Sequence, residues 1–135
     1  FLGPERAERI DPLASFKAHG ITHALHCDAP VTPIDPLFTI WTAVNRVTRN
    51  GLELGPDQRA TVADAVAGYT SAAAFLSMEE HLKGTLEVGK YADIAVWDRD
   101  LYSVPTDEIK EMRCELTLVN GEIVYQRPET RLVVE

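Results

Sequence analysis

The chain has 135 residues, enough for one modest hydrophobic core, and at 45% hydrophobic and 25% charged it has the make-up of a soluble globular protein rather than a disordered one. Its 13 basic and 21 acidic residues give a formal charge of −8 with no extended basic cluster, which argues against a nucleic-acid partner, since phosphate binding leaves a Lys/Arg-rich face. No apolar run approaches the roughly 18 to 20 residues that cross a bilayer, and Glu5, Arg6, Glu8 and Arg9 interrupt any signal-like stretch, so a cytoplasmic protein with no membrane partner is expected.

Beginning at Phe1 without an initiator Met, the chain reads as a fragment or a processed product. Asp11-Pro12 supplies an N-cap followed by proline at the first helical position, predicting a short helix with Leu13 and Phe16 that closes at Gly20. Ile21, His23 and Leu25 then alternate with Thr22, Ala24 and His26, the pattern of a strand, and Pro30 stops it just past Asp28. Helix, glycine cap, strand and acid-bearing loop form the grammar of one α/β unit, whose chemistry sits on the loop after the strand's carboxyl end. A proline-stiffened loop leads into a predicted helix over residues 37–49, with Phe38, Trp41, Val44 and Val47 on one face. Gly55-Pro56-Asp57 starts a second helix reaching about Gly68, with Val62, Ala65 and Val66 inward, and an Ala-rich third follows Tyr69-Thr70-Ser71.

At about Leu82 the period changes to two, with turns at Gly84, Gly89 and Asp98-Arg99-Asp100. A short helical turn over residues 106–112 precedes two alternating runs joined by Asn120-Gly121, the strongest short-range hairpin signal. The division expected is therefore residues 1–81 as a helical part and residues 82–135 as a small antiparallel β-module. Cys27 and Cys114 match no metal-ligand spacing; two free thiols are the simpler reading, and a disulfide stays open. A phosphate-loop reading of Gly84 through Lys90 fails because a strand, not a helix, follows Lys90.

Three blocks together resemble the amidohydrolase superfamily, in particular amidohydrolase family 3. They are Leu25-His26-Cys27-Asp28-Ala29-Pro30-Val31 with Asp35-Pro36-Leu37 and Ala43-Val44-Asn45-Arg46; Ala65-Val66-Ala67-Gly68-Tyr69-Thr70 with Ala72-Ala73; and the run from Lys83-Gly84-Thr85 through Gly89-Lys90-Tyr91-Ala92-Asp93-Ile94 to Asp98. The third is the most specific and reads as structure: glycines for turns, a small Ala92 for close packing, and an Asp93 that accepts backbone N–H bonds before an apolar strand. The resemblance implies an α+β chain: the last βα unit of a (β/α)₈ metallohydrolase barrel in residues 1–81, then the C-terminal part of a composite β-sandwich in residues 82–135. It implies a divalent metal, zinc in the first instance, in the complete enzyme, and hydrolysis of an amide or cyclic-amide C–N bond in a small-molecule substrate.

Asp28 corresponds to the aspartate that, in the family, touches the metal and acts as general base on the attacking water. A carboxylate suits that task because it must both take up a proton and return it to the leaving group. His26, two residues earlier on the expected strand, shares its face and lines the pocket or packs against backbone; Arg6 is a candidate substrate contact or a solvated arginine. Cys27 is expected to point into the core, and Arg46 to make an ion pair. The family's His-x-His pair is missing: His19, His23, His26 and His81 are the only histidines. The expectation is thus an inactive piece of an enzyme, either a homo-oligomer or paired with the missing barrel half. The alternative is a free-standing β-sandwich or helical interaction module without catalysis. A chain cut from a closed barrel should expose unpaired backbone along residues 21–25.

Overall fold

The computed structural model describes residues 3–130; the expected outer boundaries at residues 1 and 135 lie outside that range. Five helices precede a three-stranded sheet: α1 (Pro4–Ala7), α2 (Leu13–Ala18), α3 (Pro36–Asn45), α4 (Val62–Tyr69), α5 (Ser71–Leu76), then β1 (Ile94–Trp97), β2 (Cys114–Val119) and β3 (Glu122–Gln126). The class is α+β. No helix among the described residues is long and apolar enough to cross a membrane.

α3 is the central strut. Asp35 caps it, its side chain accepting from the Phe38 N–H at 3.1 Å, and Pro36 occupies the first turn, where no N–H is needed. It buries Leu37, Ile40, Ala43 and Val44; of the face expected, Val44 is buried and Trp41 packs partly buried against the core, while Phe38 is exposed. Phe38 and Trp41 stack on each other at the edge, ring centroids 5.8 Å apart, with the Lys110 ammonium 4.1 Å over Trp41. The helix stops at Asn45, before the predicted residue 49, because Arg46 takes a left-handed conformation (φ 54°) and Val47 bridges to Glu53.

The predicted second helix begins late. Pro56–Gln58 form one 3₁₀ turn, Arg59 and Ala60 turn aside to hydrogen-bond the last carbonyls of α3, and Thr61 caps α4 by accepting from the Asp64 N–H. α5 ends at Leu76, and His81 lies in a turn beyond it. One hydrophobic core joins α2, α3 and α4 to Leu101, Ile109 and Met112, so apolar packing continues across residue 82.

The sheet has the order β1-β2-β3, all antiparallel, with Val96 opposite Leu116 and Thr117 opposite Tyr125. Asn120 and Gly121 both have positive φ, 51° and 82°, the two-residue turn whose twist matches a hairpin. Residues 84–93 form turns rather than strands. Gly84 (φ 96°) packs on α5, where a Cβ would stand 2.6 Å from that of Ala74. Asp93 does accept a backbone N–H, but from Asn120 at 2.8 Å; with the Ala92 carbonyl bound by the Gly121 N–H, it pins the tip of the hairpin.

The predicted strand over residues 21–26 is extended without being a strand. Its burial alternates as a strand's does, with His23, Leu25 and Cys27 half-buried and Thr22, Ala24 and His26 exposed. A strand also requires a ladder, and apart from the local bond of the Ile21 N–H to the Phe16 carbonyl this stretch has one backbone bond among the described residues, from the Leu25 N–H to the Gly68 carbonyl at 3.1 Å. Gly68 permits that approach, because a Cβ there would lie 2.9 Å from Leu25 Cγ.

Candidate functional site

The extended stretch delivers Asp28 to the rim of a cavity of about 500 Å³ between residues 23–28 and α3. Asp28 itself is exposed and left-handed (φ 52°), a conformation that aspartate tolerates better than most residues. Its carbonyl closes a turn by accepting from the Val31 N–H at 2.8 Å, across a cis Ala29-Pro30 peptide bond. The Thr32 hydroxyl donates to the Cys27 carbonyl, tying the far side of the turn back to its start. The Asp28 carboxylate receives no hydrogen bond among the described residues, and the residue is exposed where it lines the cavity.

His26 stands beside it. Its Nδ1 accepts the Asp28 backbone N–H at 3.1 Å, so the neutral ring carries its proton on Nε2, which is left free to meet a ligand. His26, Cys27 and Asp28 all line the cavity, and Cys27 is half-buried there rather than packed into the core. Arg6 is exposed on α1 and does not line this cavity.

Most of the cavity wall is self-satisfied. Thr39 and Thr42 donate their hydroxyls to the carbonyls of Asp35 and Phe38, one turn back on α3. Arg46, only 9% exposed, makes no ion pair among the described residues. Its Nε donates to the Leu54 carbonyl at 2.7 Å, Nη1 to Asp11 at 2.8 Å and Nη2 to Ile10 at 2.6 Å. Burial pushes its guanidinium below the ordinary value, against the opposing pull of Asp11 and Glu8. Glu8 reaches the Gly55 N–H, and Gly55 must be glycine there, since a Cβ would run into the Glu8 carbonyl. This carbonyl clamp is what the sequence reading missed. Only the position of Arg46 near the end of the predicted helix pointed to it, because donors near a helix end often serve carbonyls.

Among the described residues no three His, Cys, Asp or Glu side chains stand close enough to hold a metal ion. Asp28 offers one carboxylate, and His26 has one ring nitrogen committed to backbone. These residues do not make up a metal site by themselves.

A family model described as amidohydrolase family matches residues 1–125. The chain is 34% identical over 119 residues to an N-substituted formamide deformylase of Arthrobacter pascens, covering 88% of this chain and 22% of that protein. It is 37% identical over 93 residues to an imidazolonepropionase of Bradyrhizobium diazoefficiens, covering 69% and 21%. The crystal structure of an amidohydrolase from Thermotoga maritima shares the fold with a TM-score of 0.66 at 23% identity, covering 87% of this chain and 26% of that one. The chain therefore spans about a fifth to a quarter of the length of the proteins it matches.

Proposed function

This chain belongs to the amidohydrolase family, and we propose that it is the C-terminal portion of a metal-dependent hydrolase of amide or cyclic-amide C–N bonds, with Asp28 as general base. The observation that carries the reading is the free Asp28 carboxylate at the cavity rim, on the turn that follows an extended segment. A base needs unshared lone pairs within reach of the substrate, and a turn fixed by the Val31 and Thr32 hydrogen bonds holds them in one place.

In the proposed step the Asp28 carboxylate takes a proton from the attacking water as its oxygen bonds to the carbonyl carbon. The same proton then passes to the departing nitrogen as the C–N bond breaks, leaving an acid and an amine. His26 Nε2 donates towards the substrate from the side. The metal ligands, apart from what Asp28 offers, come from parts of the parent protein outside these residues, together with the rest of the proposed barrel and sandwich. The 135-residue chain by itself is accordingly inactive. The test is hydrolysis of a panel of neutral amides and cyclic amides by the whole protein. Asp28→Asn, which keeps size and loses basicity, should lower kcat by about 10² to 10⁴ with the unfolding midpoint unchanged. An Asp28→Asn protein as active as the wild type overturns the assignment.

A further inference from the structure

Three asparagines stand in the chain, and two of them, Asn50 and Asn120, precede glycine. Asparagine followed by glycine can lose its amide without any enzyme. The glycine backbone nitrogen attacks the asparagine Cγ, and a new Cγ–N bond forms. The side-chain amide then leaves as ammonia, carrying the proton that the backbone nitrogen gives up. Water opens the resulting cyclic imide at one or the other carbonyl, giving aspartate or isoaspartate; nothing is oxidised or reduced. Glycine favours the first step because no Cβ crowds its nitrogen. Its N–H must also come free of its acceptor, and the asparagine amide must swing over its own backbone.

The fold puts the three asparagines in different positions for this chemistry. Asn45 is followed by Arg46, and its amide donates to the Trp41 and Thr106 carbonyls at 3.0 and 2.9 Å. Asn120 is held from a distance: its N–H donates to Asp93 at 2.8 Å, and the Gly121 N–H to the Ala92 carbonyl at 3.0 Å. With Val119 paired to Glu122 beside it, freeing the Gly121 nitrogen means lifting the hairpin tip off residues 92–93. Asn50 lies in the three-residue loop of a small hairpin, where Val47 bridges to Glu53 and the Thr48 N–H donates to the Leu52 carbonyl at 2.9 Å. Asn50 and Gly51 are exposed, and no hydrogen bond holds the Asn50 side chain among the described residues. The Gly51 N–H is tied to the Thr48 carbonyl, three residues back, at 2.9 Å. A solvated turn bond of that kind opens with the loop alone.

We propose that Asn50 is a site of spontaneous deamidation, with water as the co-reactant, and that the fold protects Asn120 although the same glycine follows it. Isoaspartate adds one backbone carbon to a loop whose length fixes the pairing of Val47 with Glu53. That pairing places Leu54, whose N–H and carbonyl both bond Arg46. Val47, Thr48 and Leu54 also line the cavity beside Asp28. The modification thus ages one wall of the candidate site, and it does so whether or not Asp28 is the general base.

Peptide mass spectrometry of the whole protein, incubated at neutral pH, follows amide loss at each asparagine. The same protein unfolded in guanidinium chloride gives each site its unrestrained rate. In the folded protein Asn50 should convert within about threefold of its unfolded rate, to a mixture of aspartate and isoaspartate, while Asn120 should be slowed at least about a hundredfold. Asp93→Ala removes one tie of the hairpin tip and should speed conversion at Asn120 while leaving Asn50 as it was. Asn50 slowed as strongly as Asn120 overturns the proposal, and so does an Asn120 that converts at its unfolded rate in the folded protein. An Asp93→Ala protein in which both sites speed up together also counts against it, because opening of the whole fold would then set both rates.

Discussion

Arg46 gives the most exacting test of how this chain is held together. Its guanidinium is buried and bonded to three carbonyls, and its backbone is left-handed at φ 54°. A hydrogen bond from a charged donor is worth about 1.5 to 3 kcal/mol where the acceptor stays dry. Leu54 is half-buried and Ile10 and Asp11 are exposed, so water replaces the last two contacts cheaply and they count for roughly 0.5 kcal/mol each. Arg46→Ala should therefore cost about 3 kcal/mol. Arg46→Lys keeps the charge, but its compact ammonium cannot span the three carbonyls as the planar fork does, and should cost about 1 to 2 kcal/mol. Arg46→Gly loses the same bonds as alanine but relieves the left-handed backbone, so it should be about 1 kcal/mol more stable than Arg46→Ala. Urea unfolding followed by tryptophan fluorescence gives the order: wild type, Lys, Gly, Ala, with similar m-values. A lysine variant as stable as wild type would show that the clamp is not the source of the stability. An alanine variant at least as stable as the glycine variant would refute the left-handed helix end.

Gly68→Ala puts a Cβ 2.9 Å from Leu25 Cγ, a branch point that cannot swing aside, and should destabilise by about 1 to 2 kcal/mol despite the better helix propensity of alanine, measured by the same unfolding assay. Asp64 is pushed up by burial, but hydrogen bonds from Lys17 and Thr61 outweigh this and hold it below its ordinary 3.8. Its folded pKa lies below the unfolded one, so its stabilisation is present above about pH 4 and is lost as the pH falls through the folded value. Wild type should accordingly lose more stability than Asp64→Asn between about pH 6 and about pH 3, and parallel pH profiles would remove Asp64 as the cause. His26→Ala, at an exposed position, should leave the unfolding midpoint in place while lowering kcat/KM of the whole protein about tenfold; unchanged kinetics would leave His26 without a role at the rim.

Local signals in the sequence were legible where the cause lies within a few residues. The proline-stiffened loop leads into α3, Asn120-Gly121 makes the hairpin, and Gly84 and Gly89 take the positive φ expected of them. What failed depended on distant partners. Residues 21–26 alternate like a strand, but a ladder also needs a neighbour, and their own sequence cannot say whether one is present. The inward face of α3 was legible in part: Val44 is buried and Trp41 packs against the core, but the large apolar Phe38 is exposed, and the small Ala43 is buried where its carbonyl meets the Ala60 N–H. The sequence did single out His26 and Asp28, which line the cavity, and also Arg6, which does not. The Arg46 clamp was not legible, because its three acceptors are main-chain atoms, which leave no trace in side-chain identity.

α3 also explains why a small sheet belongs with an acid-bearing turn in one chain. At its N-terminal end Asp35 both caps the helix and closes the loop that carries Asp28. In its C-terminal half the Trp41 indole N–H donates to the Asp107 carbonyl at 3.1 Å, and the Asn45 amide donates to the Thr106 carbonyl at 2.9 Å while accepting from its hydroxyl. Ile109 and Met112, from the same 3₁₀ segment and its end, sit fully in the core against this helix. Two side chains and one apolar plug thus tie the segment leading into β2 to the helix whose first turn anchors the Asp28 loop. A helix is stiff along its axis, so a shift at Thr106 would move Asp35 rather than be absorbed between them. The packing that links the two parts of the chain thus runs along α3 and the 3₁₀ segment, while β3 is exposed from Glu122 to Gln126 and lies outside it.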